Sequence, residues 1–177
     1  MVTRVIAAHT GELASDELGA IRVLLDAAFD GRFDDHDWEH SLGGMHALVL
    51  EGDDKVIAHG SLVQRRLLHE GRSLRTGYVE GVATRADRRR AGHGSTVMTA
   101  LERLAPAYDV LALSASAAAV PFYEARGWTV WRGASSVLSP EGLLPTPDDD
   151  GAIYVLGGAG LDLDEPLICD WRNGDVW

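Results

Sequence analysis

The chain has a single cysteine, Cys169, among its 177 residues. One cysteine cannot form an internal disulfide, and this usage is typical of a reducing compartment, so we expect a cytoplasmic protein. Cys169 is also a poor candidate for a catalytic nucleophile. Its neighbours are Ile168, Asp170 and Trp171, and a nearby negative charge disfavours the reactive thiolate.

Long apolar runs are absent as well. No stretch approaches the ~18 apolar residues of a membrane-spanning helix, and residues 1–10 lack the apolar core of a signal peptide. We therefore expect no membrane partner. The chain also has no internal repeat and no low-complexity linker. Its length and its 46% apolar content suit one globular domain that covers residues 1–177.

Positive charge is scarce overall, since the formal net charge is −11. This acidity argues against nucleic acid as the main partner. The two signs are also separated along the chain. Residues 65–103 hold nine arginines against four acidic residues, whereas residues 141–177 hold nine acidic residues against one arginine. The first segment is expected to attract anions and the second to attract cations, although acidic tails can also serve solubility alone.

Hydrophobic periodicity predicts a chain of mixed α/β type with the order β-α-βββ-α-β-α-β. Ser15 is predicted to cap the first helix. Helices over about 92–104 and 121–125 follow, the last with Gly127 just past its end. The predicted strands cover residues 2–8, 45–51, 55–68, 73–84, 110–114, 129–131, 136–138 and 152–156.

The most informative segment is Y-V-E-G-V-A-T-R-A-D-R-R-R-A-G-H-G-S, residues 78–95, in which a strand leads into a helix. Gly92 and Gly94 let backbone N–H groups converge on one point, and the helix N-terminus adds partial positive charge. Such a site suits phosphate, with full charges from the arginines at positions 85, 88, 89 and 90. A plain glycine turn beside solvated arginines is the alternative. The segment is not a dinucleotide-binding fingerprint, which fails at Val97, and the chain has no Walker loop.

The pattern R-x-x-G-x-G, from Arg89 to Gly94, follows a strand that contains Glu80 and resembles the acetyl-CoA pyrophosphate loop of the GNAT N-acetyltransferases. The predicted element order is also that of this superfamily. The resemblance implies an α+β fold with a mostly antiparallel central sheet flanked by helices. It further implies that strands four and five, here 78–84 and 110–114, splay apart to admit the pantetheine arm.

Acyl transfer from a thioester to an amine needs a donor for the developing oxyanion, a base for the amine and an acid for the departing thiolate. Glu80 lies in mid-strand, where partial burial would suit a base, although a solvated place on an open sheet face is the alternative. Tyr123 matches the tyrosine with which these enzymes protonate coenzyme A, although a core role is also open. The Val82 N–H matches the group that polarises the thioester carbonyl.

The same resemblance implies a set of backbone and side-chain contacts to the coenzyme. They fall in the fourth strand, in the glycine loop and on the helix that contains Tyr123. These contacts are Val82, Ala83, Thr84, Arg89, Arg90, Ala91, Gly92, His93, Gly94, Ala119, Phe122, Tyr123 and Glu124.

Longer segments resemble one branch of the superfamily, the aminoglycoside 2'-N-acetyltransferases of mycobacteria and related bacteria. They include D-W-E-H-S-L-G-G-M-H-A-L, V-Q-R-R-L, T-P-D-D-D-G and the terminal C-D-W-R-N-G-D-V-W, and together they span residues 30–177. The resemblance implies acetyl-CoA as co-substrate, no metal, and a cationic aminoglycoside as acceptor, with Glu80 acting through water. Homodimers are common in the superfamily, so we expect a homodimer. The implied aminoglycoside contacts are Asp37, Glu80, Gly81, Ser114, Asp148, Asp149, Asp175 and the carboxylate of Trp177.

One position departs from this branch. Arg32 stands where the family pattern has an acidic residue that contacts the aminoglycoside, and Asp34 or Asp35 would have to replace it. The preferred substrate therefore stays open. An acidic pocket would also suit another polyamine-like amine, a thiol precursor or a protein N-terminus. A coenzyme-binding sensor without catalysis is a further alternative, although Glu80 and Tyr123 together argue against it.

Two segments have residues typical of metal-binding motifs. His36 to His40 has the H-x-x-E-H spacing of an inverted zinc-protease motif, which requires a sizeable helix and a third protein ligand. The run Asp148 to Asp150 lacks the spaced oxygen ligands of a calcium loop. We expect neither metal.

Overall fold

The computed structural model describes residues 2–177. Contacts divide the described chain into two compact units. The first comprises the residues up to Val63 together with Val79–Leu104, and the second comprises Gln64–Tyr78 together with Ala105–Trp177. Within residues 2–177, none of the helices is long and apolar enough to cross a membrane.

The first unit contains an antiparallel sheet of strands β1 (Thr3–His9), β2 (Met45–Glu51) and the residues up to position 63 of β3 (Lys55–His69). The register of β1 with β2 runs from Thr3↔Glu51 to His9↔Met45, and β2 pairs with β3 through a bulge between Val49 and Leu50. Strand β2 is buried from His46 to Leu50. A strand with this pattern needs cover on both faces, and helices supply it.

Helix α1 (Ser15–Ala28) buries Ile21, Leu24 and Leu25, the spacing of one helix face. These residues pack in one cluster with Leu48 of β2. The predicted cap at Ser15 is wrong by one residue: Ala14 is the N-cap, and the Glu17 side chain accepts the Ala14 N–H at 2.8 Å. A glutamate that reaches back to the chain before the helix replaces the missing hydroxyl cap.

Two further helices belong to the first unit, α2 (Asp35–His40) and α3 (His93–Glu102). Helix α3 approaches β3 closely at Gly60, where an added Cβ would lie 2.7 Å from Val97 Cγ1. Only glycine permits that distance. The close contact fixes the position of α3, and therefore of its N-terminus, against the strand.

The second unit has a mixed sheet. The first residues of β4 (Arg72–Thr84) pair in parallel with β5 (Val110–Ser114), which pairs antiparallel with β9 (Ile153–Gly157). Strand β9 also pairs with β6 (Thr129–Val130). The register of β4 with β5 covers the β4 residues Thr76 to Tyr78, in a strand that continues to Thr84.

The last residues of β3 pair antiparallel with β10 (Leu167–Asp170). Strand β10 runs parallel to β7 (Ser135–Ser139), which forms a hairpin with β8 (Gly142–Pro145). The sequence predicted neither β8 nor β10. The short helix α4 (Val120–Glu124) completes the unit, with a proline in its first turn as expected.

Candidate active site

The glycine loop follows β4 in the first unit. Gly92 is the N-cap of α3 and has φ +86°, a left-handed conformation that favours glycine, and no atom lies within 4 Å of the place a Cβ would occupy. Helix geometry leaves the first N–H groups of α3 without intrahelical acceptors. Arg89, Arg90, Ala91 and Gly92 are exposed, and His93 and Gly94 are half-buried. The loop therefore has open space, backbone donors and positive charge together, as a phosphate site requires.

Two of the four arginines predicted to supply charge to this loop have intramolecular partners instead. Arg88 donates to both carboxylate oxygens of Glu51, at 2.9 and 2.8 Å, and Arg85 forms ion pairs with Asp87 and Glu51. These hydrogen bonds and charges lower the pKa of the Glu51 carboxyl. Arg85 and Arg88 therefore brace the end of β4, and Arg89 and Arg90 are the exposed arginines of the loop.

Glu80 and Gly81 lie in an irregular part of β4 in the first unit. Gly81 has φ +56°, and an added Cβ would lie 3.0 Å from Ser41 Oγ. The Glu80 carbonyl accepts a long hydrogen bond (3.4 Å) from Ser61 Oγ, and the Gly81 carbonyl accepts from His59 Nδ1 at 2.7 Å. In a regular strand, successive carbonyls point in opposite directions. Here the carbonyls of Glu80 and Gly81 both accept from side chains of β3, Ser61 and His59, which are two residues apart, so the strand is irregular at this point. Glu80, Gly81 and Val82 are half-buried.

Tyr123 lies on α4 in the second unit. Its side chain is buried, and its ring meets those of Phe122 and Trp128 at centroid distances of 5.2 and 6.0 Å. Burial raises the pKa of the Tyr123 hydroxyl to about 12, so this group keeps its proton through the neutral range. Ala119 precedes the helix, and Glu124 ends it and accepts from Tyr154 at 3.5 Å. Ser114, at the end of β5, is exposed.

Three of the acidic residues predicted to meet a cation, Asp148, Asp149 and Asp175, lie in the second unit. Asp148 and Asp149 lie in a 3₁₀ turn, and burial raises the pKa of the Asp149 carboxyl, followed in effect by the negative charge of Asp175. Trp177 is buried and its indole donates to Thr146 Oγ1 at 2.8 Å, so the end of the tail lies against the segment that leads into this turn. An array of carboxylates that repel one another favours binding of a cation.

The predicted acidic residues of α2 already have local roles. Asp37 Oδ2 accepts the Asp34 N–H at 3.0 Å, and Asp34 in turn caps the helix by accepting from His36 and Asp37. Asp35 pairs with Arg22 at 3.1 Å. Neither Asp34 nor Asp35 is a free substitute for the acidic residue that Arg32 replaces in the family pattern.

The H-x-x-E-H segment forms α2, which has only six residues. His36 Nδ1 lies 3.8 Å from Glu39 Oε2, an arrangement of two neighbouring side chains on one helix. Over residues 2–177, no group of three or more His, Cys, Asp or Glu side chains is placed to hold a metal ion.

Sequence analysis missed several polar residues that support the site. His59 and Ser61 bind the carbonyls of the irregular part of β4, and Arg172 binds the C-terminal tail. The two β3 residues had a signal in the sequence, since they are polar positions inside the apolar run V-I-A-H-G-S-L-V. A buried polar group needs a partner, but the sequence does not say which.

The chain shares its family and its fold with known proteins. Residues 10–131 match the sequence model of the family described as Acetyltransferase (GNAT) domain. The chain is 46% identical over 175 residues to an aminoglycoside 2'-N-acetyltransferase of Mycolicibacterium fortuitum, with 96% of this chain and 89% of the relative covered.

Solved structures of lower sequence identity share the fold. An acyl-CoA N-acyltransferase of Pseudomonas aeruginosa is 19% identical, with a TM-score of 0.60 over 87% of this chain and 99% of its own. A conserved protein of Enterococcus faecalis V583 is 18% identical, with a TM-score of 0.61 over 76% of this chain. The match covers 34% of that protein, so this chain spans about a third of its length.

The fold is that of an N-acetyltransferase, and the predicted fold class is confirmed. The chain belongs to the GNAT acetyltransferases and, within them, to the family of the Mycolicibacterium enzyme.

Proposed function

We propose that the protein transfers the acetyl group of acetyl-CoA to the 2'-amino group of aminoglycosides and so confers resistance to them. The observation that carries this proposal is the 46% identity to an enzyme of that name over 96% of the chain. The acidic cluster of the second unit supports it independently, since an aminoglycoside carries several ammonium groups.

The residues of the glycine loop fit the phosphates of the coenzyme. The space around Gly92 is open, the first turn of α3 presents backbone donors, and Arg89 and Arg90 are exposed. The remainder of the coenzyme is proposed to be lined by residues of β4 and by α4 with its N-cap. These residues are Val82, Ala83 and Thr84 of β4, and Ala119, Phe122, Tyr123 and Glu124 of the helix.

Three groups of the chain are proposed to act on the reacting atoms. Glu80 accepts, through a water, the proton that the ammonium group must lose before its nitrogen can attack the thioester carbon. The Val82 N–H donates to the carbonyl oxygen as negative charge develops on it. When the C–S bond breaks, the acetylated nitrogen loses its second proton to solvent, and Tyr123 donates its proton to the departing thiolate and recovers one from solvent. The products are the N-acetylated amine, the free thiol and one proton released to solvent.

The proposed contacts to the aminoglycoside are mostly carboxylates. They are Asp37, Gly81, Ser114, Asp148, Asp149, Asp175 and the Trp177 carboxylate. Among them Asp149 has a raised pKa, because burial and then repulsion by the negative charge of Asp175 disfavour its ionised form. A bound ammonium group removes that repulsion. Binding of a polycation should therefore be accompanied by proton release from this cluster near the lower end of the working pH range.

The test compares pairs of aminoglycosides that differ only in carrying an amino or a hydroxyl group at the 2' position. Products are separated by liquid chromatography and identified by mass spectrometry. The proposal predicts acetylation of the 2'-amino member and none of its 2'-hydroxyl partner. Equal acetylation of both would disprove the regiochemistry, and coenzyme binding without turnover on any amine would favour the sensor.

We further propose that the enzyme acts in the cytoplasm, as a homodimer. The buried thiol of Cys169 suits a reducing compartment. Light scattering of the purified protein at micromolar concentration measures the mass against 19.0 kDa for one chain. A mass that stays at one chain would disprove the dimer.

A further inference from the structure

Two buried histidines of the first unit contact one another. His46 Nδ1 lies 2.9 Å from His59 Nε2, and both side chains are fully buried. His46 Nε2 lies 2.8 Å from Thr10 Oγ1, and His59 Nδ1 lies 2.7 Å from the Gly81 carbonyl oxygen. All four imidazole nitrogens therefore have partners within the chain.

The Gly81 carbonyl fixes the direction of every hydrogen bond in this series. A carbonyl oxygen can only accept, so His59 Nδ1 carries a proton and donates it. Burial lowers the pKa of His59 to about 3 and that of His46 to about 4, so both rings are neutral at working pH. A neutral His59 then has an unprotonated Nε2, which accepts from His46 Nδ1.

The same logic extends to the other end of the series. His46 Nε2 is unprotonated and accepts the Thr10 hydroxyl proton, and Thr10 Oγ1 accepts the Gly43 N–H at 2.9 Å. The Gly44 carbonyl, at 3.2 Å, is the weaker of the two acceptors near that hydroxyl. Four hydrogen bonds thus point in one direction, from Gly43 to Gly81. Bonds aligned in this way polarise one another, so the bond to the Gly81 carbonyl is strengthened by those before it.

The last bond matters because of the peptide that it reaches. The Gly81–Val82 peptide is trans, so its C=O and its N–H point in opposite directions. A donor that holds the Gly81 carbonyl on one side therefore sets the direction of the Val82 N–H on the other. Drawing electron density toward the carbonyl oxygen also makes this N–H a stronger donor, since the two groups share one resonance system.

We propose that His59, supported by His46, is a positioning residue that orients and polarises the Val82 amide. This inference rests on the proposed function, which assigns to the Val82 N–H the developing oxyanion of the thioester. Gly81 is suited to the arrangement because its φ of +56° and its close approach to Ser41 and His59 exclude a larger residue. The histidines touch no reacting atom and act through the backbone alone.

The first experiment needs no catalysis. Imidazole ¹⁵N shifts of the wild-type protein at pH 7 report which nitrogen of each ring is protonated. Both histidines are expected as the Nδ1–H tautomer, the less common one in water. The Val82 amide resonance is expected to shift in His59→Leu and to stay in place in His69→Leu. The control residue His69 is another buried histidine, and its Nδ1 lies 3.2 Å from the Pro166 carbonyl.

The second experiment is kinetic. His59→Leu should lower kcat by about tenfold to a hundredfold and leave the KM for the amine unchanged, a smaller loss than the roughly 10²–10³ that removal of an entire oxyanion donor costs. His59→Asn keeps a donor in the place of Nδ1 and should recover most of the rate. His46→Asn, which keeps a donor toward His59, should stay closer to wild type than His46→Leu. His69→Leu should leave the kcat of the folded fraction unchanged.

The outcomes separate the two proposals. An inactive wild type would end the proposed function, while the tautomers and the Val82 resonance would still decide what the histidines do to the amide. Nε2–H tautomers, or an unmoved Val82 resonance in His59→Leu, would overturn this inference even in an active enzyme. Equal kcat for folded His59→Leu and wild type would overturn it as well. Where His59→Leu fails to fold, the His46 variants and the wild-type tautomers give the decision.

Discussion

Arg172 holds the end of the chain through the backbone oxygen of Trp177, which its Nη2 atom approaches at 2.8 Å. The Nε atom of the same guanidinium donates to the Asp175 carbonyl at 2.7 Å. One side chain thus closes the tail into a turn, while the Trp177 indole is held by Thr146. The position of the Asp175 carboxylate depends on this clamp.

Replacing Arg172 with methionine should raise the KM for the aminoglycoside by about three- to tenfold. The substitution removes about one to two charge-assisted hydrogen bonds that hold the tail, so the acidic cluster is less well ordered for binding. The KM for acetyl-CoA should not change. Arg132→Met is the matched control, since Arg132 forms an exposed pair with Asp164 in the same unit. Equal effects of the two substitutions on the amine KM would remove the tail from the site.

Arg88 and Arg90 should respond differently to the same substitution. The side chain of Glu51 is only 10% exposed, and Arg88→Met removes its bidentate partner. Because a largely buried carboxylate is then left without that partner, the unfolding temperature should fall by roughly 2–4 °C. Arg90→Met should leave the unfolding temperature unchanged and raise the KM for acetyl-CoA severalfold. Thermal denaturation and steady-state kinetics of both variants test this contrast. A raised acetyl-CoA KM in Arg88→Met at unchanged stability would return Arg88 to the phosphate site.

Glu80→Gln should lower kcat/KM by about 10²–10⁴, the usual contribution of a general base, because an amide cannot accept the proton. The substitution preserves shape, so acetyl-CoA should bind with wild-type affinity in calorimetry. Glu70→Gln, at an exposed turn, serves as the control. A wild-type rate in Glu80→Gln would remove this residue from the mechanism.

Tyr123→Phe should lower kcat by about tenfold, less than Glu80→Gln, because water can protonate the departing thiolate more slowly. Since burial raises the pKa of the Tyr123 hydroxyl to about 12, wild-type kcat should show no loss of this acid below pH 10. The profile of kcat against pH measures both points. A decline of kcat with an apparent pKa near 8 or 9 that vanishes in Tyr123→Phe would contradict the raised pKa.

The two buried histidines should make the protein sensitive to acid. In the folded protein the pKa is about 4 for His46 and about 3 for His59, below the ordinary 6.5. Burial is the main cause for both rings. His9 lowers the pKa of His46 further, and His46 lowers that of His59. The unfolded chain therefore binds more protons, and stability falls as pH falls below about 6.5. For His59 alone the loss reaches about 3 kcal/mol by pH 4. Urea denaturation between pH 4 and 7 measures it, and His59→Asn should flatten the dependence.

Strands bounded by turn residues could be predicted well from the sequence. The predicted ranges for β2 and β5 coincide with the observed strands, because each is a short apolar run with glycine or aspartate beside it. Strands β8 and β10 have four residues each and are ordered by pairing with β7. So short a segment has no usable period, and the partners of β10 are also distant along the chain.

The candidate site likewise contains some residues that could be found from the sequence and others that could not. The glycine loop and Glu80 could be found because local sequence determines a turn and a strand. The partner of Arg88 could not be found from the sequence, because Glu51 is 37 residues away. By sequence alone, each of the four neighbouring arginines suits a phosphate equally well. His46 and His59 have no local signal of their contact. Their role depends on two strands coming together in one register.

The thiol of Cys169, the only cysteine of the chain, is fully buried, and burial raises its pKa to about 11. A chromogenic disulfide reagent reacts with exposed thiolates, so it should leave the folded protein untouched while it detects each coenzyme A that turnover sets free. Continuous assays of every variant can therefore be read without subtracting a signal from the enzyme itself. Slow colour in the absence of substrate would then report unfolding rather than catalysis.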